Sequence, residues 1–177
     1  MKRVWKGVLG VVLVAALAGC AGGSSPDEAV GTPPGAGTLS LKPDEACGLL
    51  ADKGLRTVGG YQATVQGVYL CSSFEKVIPA GEPVFDTLKY FAQGTAEAVN
   101  QLSVQLLLKS PGDAQVAFRY LLQSVEALTQ RALGATVPDA AQVAIRSGVT
   151  GSWPVAGATL TVERISAFTT TLVVTLR

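Results

Sequence analysis

Between Gln101 and Leu108 the chain alternates strictly. Leu102, Val104, Leu106 and Leu108 share one parity, and Gln101, Ser103 and Gln105 occupy the other. A period of two marks a half-buried strand, so residues 100–109 are predicted as one. The pattern returns near the C-terminus. Leu160 and Val162 alternate with Thr159, Thr161 and Glu163. Phe168, Leu172, Val174 and Leu176 alternate with Thr169, Thr171, Val173 and Thr175, and polar Thr170 interrupts the apolar parity. These are read as two strands, with Arg164 to Ala167 as the hairpin link. Tyr61 to Ser73 is apolar on both parities and reads as one two-sided strand. Pro79, Gly81 and Pro83 make Phe74 to Pro83 a loop. Val84 to Gln93 reads as a further strand.

Helical signals fill the gaps. Lys42-Pro43-Asp44-Glu45 puts proline in a first turn and two acids at the positive end of the dipole. Cys47, Leu49 and Leu50 supply an apolar face, and Gly54 closes the segment. Ser110-Pro111-Gly112-Asp113 offers a hydroxyl cap with an acid three residues on. From there Phe118, Leu121, Leu122, Val125, Leu128 and Ala132 form a wide apolar stripe ending near Leu133, and Gln123, Glu126 and Gln130 face water. Val137-Pro138-Asp139 starts a shorter helix that ends near Gly148.

The resulting order is α-βββ-αα-ββ. Short links between consecutive strands favour antiparallel pairing. A sheet that is apolar on one face needs helices there, which predicts an α+β two-layer sandwich with a roughly five-stranded, mainly antiparallel sheet. That element order is similar to the compact α+β fold of secretion-chaperone-like bacterial domains, a likeness of order that carries no function.

Ahead of the predicted fold stands MKRVWKGVLGVVLVAALAGC. Lys2, Arg3 and Lys6 are basic, and Gly7 to Ala18 form an apolar block too short to span a bilayer. Leu17-Ala18-Gly19-Cys20 resembles the lipobox of bacterial lipoproteins, and the preceding blocks are similar to their signal peptides. The resemblance implies a thioether-linked lipid on Cys20, cleavage after Gly19 and acylation of the new terminus. Two or more acyl chains hold a protein on a bilayer stably. The expected location is the cell envelope. Ala21 after the cysteine favours the outer membrane, facing the periplasm, by resemblance to Gram-negative lipoproteins. In a Gram-positive or actinobacterial cell the same signal means the outer face of the plasma membrane.

Ala21 to Thr38 is rich in Gly, Pro, Ser and Thr, with Val30 its one large apolar residue. It cannot bury enough surface to offset ordering, so 20–38 is predicted to be a lipidated cysteine and a disordered tether. Eighteen such residues have an r.m.s. reach of roughly 23–25 Å. Residues 39–177 then form a single domain, long enough for its own core.

Composition narrows the chemistry. The chain has 177 residues and no His, which removes imidazole bases and most zinc sites. Loss of residues 1–19 takes Lys2, Arg3 and Lys6 away and leaves 11 basic against 13 acidic groups. That balance speaks against nucleic acid as a partner. No GxSxG or GxxxxGK[ST] occurs. Ser110 beside Lys109 and Ser40 near Lys42 read as a helix cap and entry chain. No metal, cofactor or catalytic residue is assigned. With Cys20 lipidated, Cys47 on the first helix and Cys71 on the first strand are expected to pair in an oxidising compartment and staple helix to sheet.

One surface stands out. Gln101, Ser103, Gln105, Thr159, Thr161, Thr169, Thr171 and Thr175 lie on the strand parities opposite the core. Sharing one sheet face, they make a nearly uncharged surface able to dock an envelope protein or a glycan. Trp153 before Pro154 reads as rim packing or, alternatively, a ligand anchor. The expected function is a non-enzymatic binding or scaffolding module held to the membrane. The alternative is a small-ligand or lipid carrier with an apolar cavity among Phe118, Leu122, Val104 and Phe168. A carboxylate-only enzyme is the third reading.

Overall fold

A computed structural model describes residues 39–79, 85–109, 114–165 and 170–177 (Thr170 by its backbone alone). The predicted signal peptide, Cys20, the tether, the helix start at Ser110 to Asp113, Phe168 and Thr169 lie outside the described residues. The chain divides into two units, 1–32 and 33–177, and every described residue belongs to the second.

The fold is α+β. Helix α1 (Pro43–Gly48) and a 3-10 turn (Ala51–Lys53) precede β1 (Thr57–Ala63), β2 (Tyr69–Ser73), β3 (Lys76–Val77), β4 (Thr87–Gly94) and β5 (Val99–Leu108). Then come α2 (Ala114–Leu133), α3 (Asp139–Ser147), β6 (Gly151–Val155), β7 (Ala158–Ile165) and β8 (Thr170–Leu176). The sheet has eight strands in the order β1-β2-β4-β5-β8-β7-β6. Every pairing is antiparallel, and β3 pairs with β4 below β2.

The expected five strands are therefore a correction, for three local reasons. Tyr61 to Ser73 is not one strand, because Gly67 at φ 78° folds it back. Its amide bonds the Thr64 carbonyl and Thr64 bonds Val68, making β1 and β2 a hairpin. Inside the predicted loop, Lys76 and Val77 pair with Leu88 and Thr87. Before β7, Ala156 and Gly157 both adopt positive φ, 47° and 85°. That two-residue turn matches strand twist and brings β6 against β7, Val155 opposite Ala158. Pro154 is tolerated because β6 is an edge strand.

Other boundaries shift less. Helix α1 stops at Gly48, six residues before Gly54, which caps the 3-10 turn at φ 77°. Helix α3 ends on Gly148 at φ 64°, whose amide bonds Ala144 and Ile145. The core takes Leu102, Val104, Leu106 and Leu108 from β5 with Leu160, Val162, Leu172, Val174 and Leu176 from β7 and β8. Phe118, Leu121, Val125 and Leu128 of α2 and Ala141 and Ile145 of α3 join the same cluster.

Candidate binding face

In an antiparallel sheet, directly opposed residues point the same way, so the register assigns each side chain to a face. Phe91 opposes Ser103, Ser103 opposes Thr175, and Thr175 opposes Thr161, which opposes Ser152. The next row is Lys89, Gln105, Val173 and Glu163. Beyond it Thr87, Leu107, Thr171 and Ile165 line up. On the other side Gln93 opposes Gln101, and Thr159 exchanges backbone bonds with Arg177. Seven of the eight residues singled out from sequence thus share one side of the sheet: Gln101, Ser103, Gln105, Thr159, Thr161, Thr171 and Thr175. The core parity is the other side.

The shared side is not uniformly open. Ser103 and Thr175 are 4% and 8% exposed. Gln101, Gln105, Thr159, Thr161 and Thr171 are half-buried and offer the accessible hydroxyls and amides. Arg177 Nε donates to Gln101 Oε1 at 2.8 Å, and Gln101 Nε2 donates to Gln93 Oε1 at 2.9 Å, a short chain that fixes both amides. Ser152 and Thr161 hydroxyls stand 3.4 Å apart.

The sequence reading missed half of this face. Phe91, Leu70, Leu107 and Ile165 bring apolar surface, and Lys89, Glu163 and Arg177 bring charge. The Lys89 ammonium lies 5.2 Å from the centre of the Phe91 ring. The signal was present: Thr87, Lys89, Phe91 and Gln93 alternate with buried Leu88, Tyr90 and Ala92. A hollow of about 110 Å³ opens here, lined by Glu75, Thr87, Lys89, Gln105, Leu107 and Thr171.

Other features hold the scaffold. Cys47 and Cys71 are joined, with Cα atoms 6.0 Å apart. The bond ties α1 to the sheet as expected, through β2, the second half of the hairpin into which the first predicted strand folds. Tyr90 donates its hydroxyl to the Ala46 carbonyl at 2.7 Å, and burial pushes its phenol well above the ordinary range. The Arg131 guanidinium grips Asp52 at 2.5 and 2.7 Å and also donates to the Leu49 carbonyl. That fork holds the Asp52 carboxyl down at about 2. Trp153 is half-buried against the core and lies over Gly151, where a Cβ would sit 2.3 Å from its ring. Among the described residues no three Cys, Asp or Glu side chains gather as a metal site would require.

No family model, no curated protein and no solved structure matches this chain.

Proposed function

We propose that the chain is a lipid-anchored bacterial envelope protein whose domain binds a partner through the hydroxyl-rich side of its sheet and performs no chemistry of its own. The observation that carries the reading is the gathering of Gln101, Gln105, Thr159, Thr161 and Thr171 on the side opposite the core. The Leu17-Ala18-Gly19-Cys20 lipobox supports attachment to the membrane, and the Cys47–Cys71 bond suits a compartment where thiols oxidise.

We read the domain as two layers, with helices over the core side. Tyr90, on the core parity of β4, reaches α1, and Phe118 of α2 and Leu172 of β8 both lie against Gly148 at the end of α3. The opposite side then stays available for an envelope protein or a glycan. Half-buried amides and hydroxyls around an aromatic ring are an adaptable surface for either.

Metabolic labelling with palmitate tests the anchor. Label should enter the parent chain and be lost in Cys20→Ser; an unlabelled parent chain rejects it. The pair Thr161→Lys and Thr171→Lys tests the face. Its partner recovery from crosslinked envelopes should fall at least severalfold at unchanged abundance, and unaltered recovery rejects the face.

A further inference from the structure

From Thr57 to Phe74 no residue carries a charge. That span is β1, its turn and β2, so a whole hairpin at one edge of the sheet is uncharged. Its turn projects apolar side chains. Val65 is 108% exposed and Val68 is 41% exposed. Just behind them the Tyr61 and Tyr69 rings meet with centroids 5.8 Å apart, and the Tyr61 hydroxyl donates to the Ala98 carbonyl at 3.5 Å. Tyrosine is enriched where protein crosses from water into lipid headgroups.

The hairpin's turn lies at the end of the sheet where the N-terminal chain enters. Tyr69 opposes Gly94, Gly94 opposes Val99, and Val99 forms an isolated bridge with Leu41. Leu41 extends the lane of β8, so β2 lies three strand spacings away, about 14 Å. Residues 21–38 join the domain two residues before Leu41. A chain of that length reaches roughly 23–25 Å, so a lipid on Cys20 and the Val65 turn can meet the same bilayer together.

We infer that the β1–β2 hairpin is a second membrane contact, seating Val65 and Val68 among the headgroups of the bilayer that holds the lipid. This rests on the lipid-anchor reading above. A single turn is a weak binder alone, but the tether supplies a high local concentration of bilayer, so a weak contact is occupied. The contact orients the domain with its strands upright and the hydroxyl-rich face turned sideways to partners. The hairpin itself carries no charge, and the charge beside it in the β4–β5 turn is the carboxylate of exposed Glu97, so the contact gains nothing from anionic lipid, unlike a basic patch.

The test uses the full protein purified from its own membranes and reconstituted in phosphatidylethanolamine–phosphatidylcholine vesicles with brominated acyl chains. In a background with Trp5 and Trp153 both replaced by Phe, Val65→Trp places the single reporter at the turn, and Val143→Trp places it on α3, where Val143 is also exposed. Emission from position 65 should be quenched severalfold more than emission from position 143, with no change on adding salt. Equal quenching at both positions, in protein that floats with the vesicles, overturns the hairpin contact and leaves the anchor standing. Protein that incorporates no palmitate and does not float, yet shows quenching at position 65 on mixing, upholds the hairpin and rejects the anchor. Protein that neither floats nor shows quenching rejects both.

Discussion

The two sides of β5 are built from one backbone and answer to different demands. Leu102, Val104 and Leu106 are fully buried, and Leu108 is nearly so. Gln101, Gln105 and Leu107, one residue out of step, are half-buried amid Lys89, Phe91 and Thr171. On the core side, volume decides each residue, because a lost methylene leaves a void. On the other side, amides and hydroxyls line up across β5, β7 and β8, some of them half-buried and two, Ser103 and Thr175, buried. Under the proposed function that side meets the partner, and the pair of sides can be separated by mutation.

The sharpest separation is also the largest effect. Leu106→Ala should lower unfolding free energy by about 2–5 kcal/mol, read from urea denaturation. Gln105→Ala, its neighbour on the other side, should stay within about 0.5 kcal/mol. Comparable losses from both would mean that the second side is packed like the first.

Next comes the cross-link on the core side. Replacing both Cys47 and Cys71 with Ser opens a loop of 24 residues, which should cost about 3 kcal/mol in the same measurement. Partner recovery by whatever protein remains folded should be unchanged, since both cysteines sit on the core side. A loss of recovery without a loss of stability would break the distinction.

A smaller effect of opposite sign belongs to the turn between β6 and β7. Ala156 holds a φ of 47°, a region that an L side chain enters at a cost. Ala156→Gly removes that strain and should raise stability by about 0.5–1 kcal/mol, visible as a shift of the urea midpoint.

The smallest effect is the acid response of the Asp52–Arg131 pair. The pair holds the Asp52 carboxyl at about 2, below its ordinary 3.8, so the pair's contribution is whole above pH 3.8 and disappears as pH falls towards 2. Both groups are substantially exposed, so water screens the gain. Between pH 4 and 2 the parent chain should lose slightly more stability than Asp52→Asn, and equal losses would show the pair to be idle.

Much of this was legible because alternation is a direct imprint of the sheet. The parities of β5, β7 and β8 placed seven face residues correctly relative to one another, since register only has to keep odd with odd. The helices were legible from the Phe118–Leu128 stripe and from Gly148. What escaped were reversals that leave no apolar signature. Gly67 folds Tyr61–Ser73 within an apolar run, and Ala156-Gly157 is a turn whose first residue has no left-handed preference. Pro154 reads as a breaker until β6 is known to be an edge. The half of the face on β4 escaped for another reason: Phe91 and Lys89 differ so much in polarity that their shared parity is hidden.

The central claim is that one side of this sheet is the docking side, and crosslinking in intact envelopes tests it most directly. A photoreactive side chain at position 105 or 161 should give a discrete higher-mass adduct. The same group at exposed Val143 of α3 should give none. Equal adducts from α3, or none from the sheet face at normal protein abundance, would contradict it.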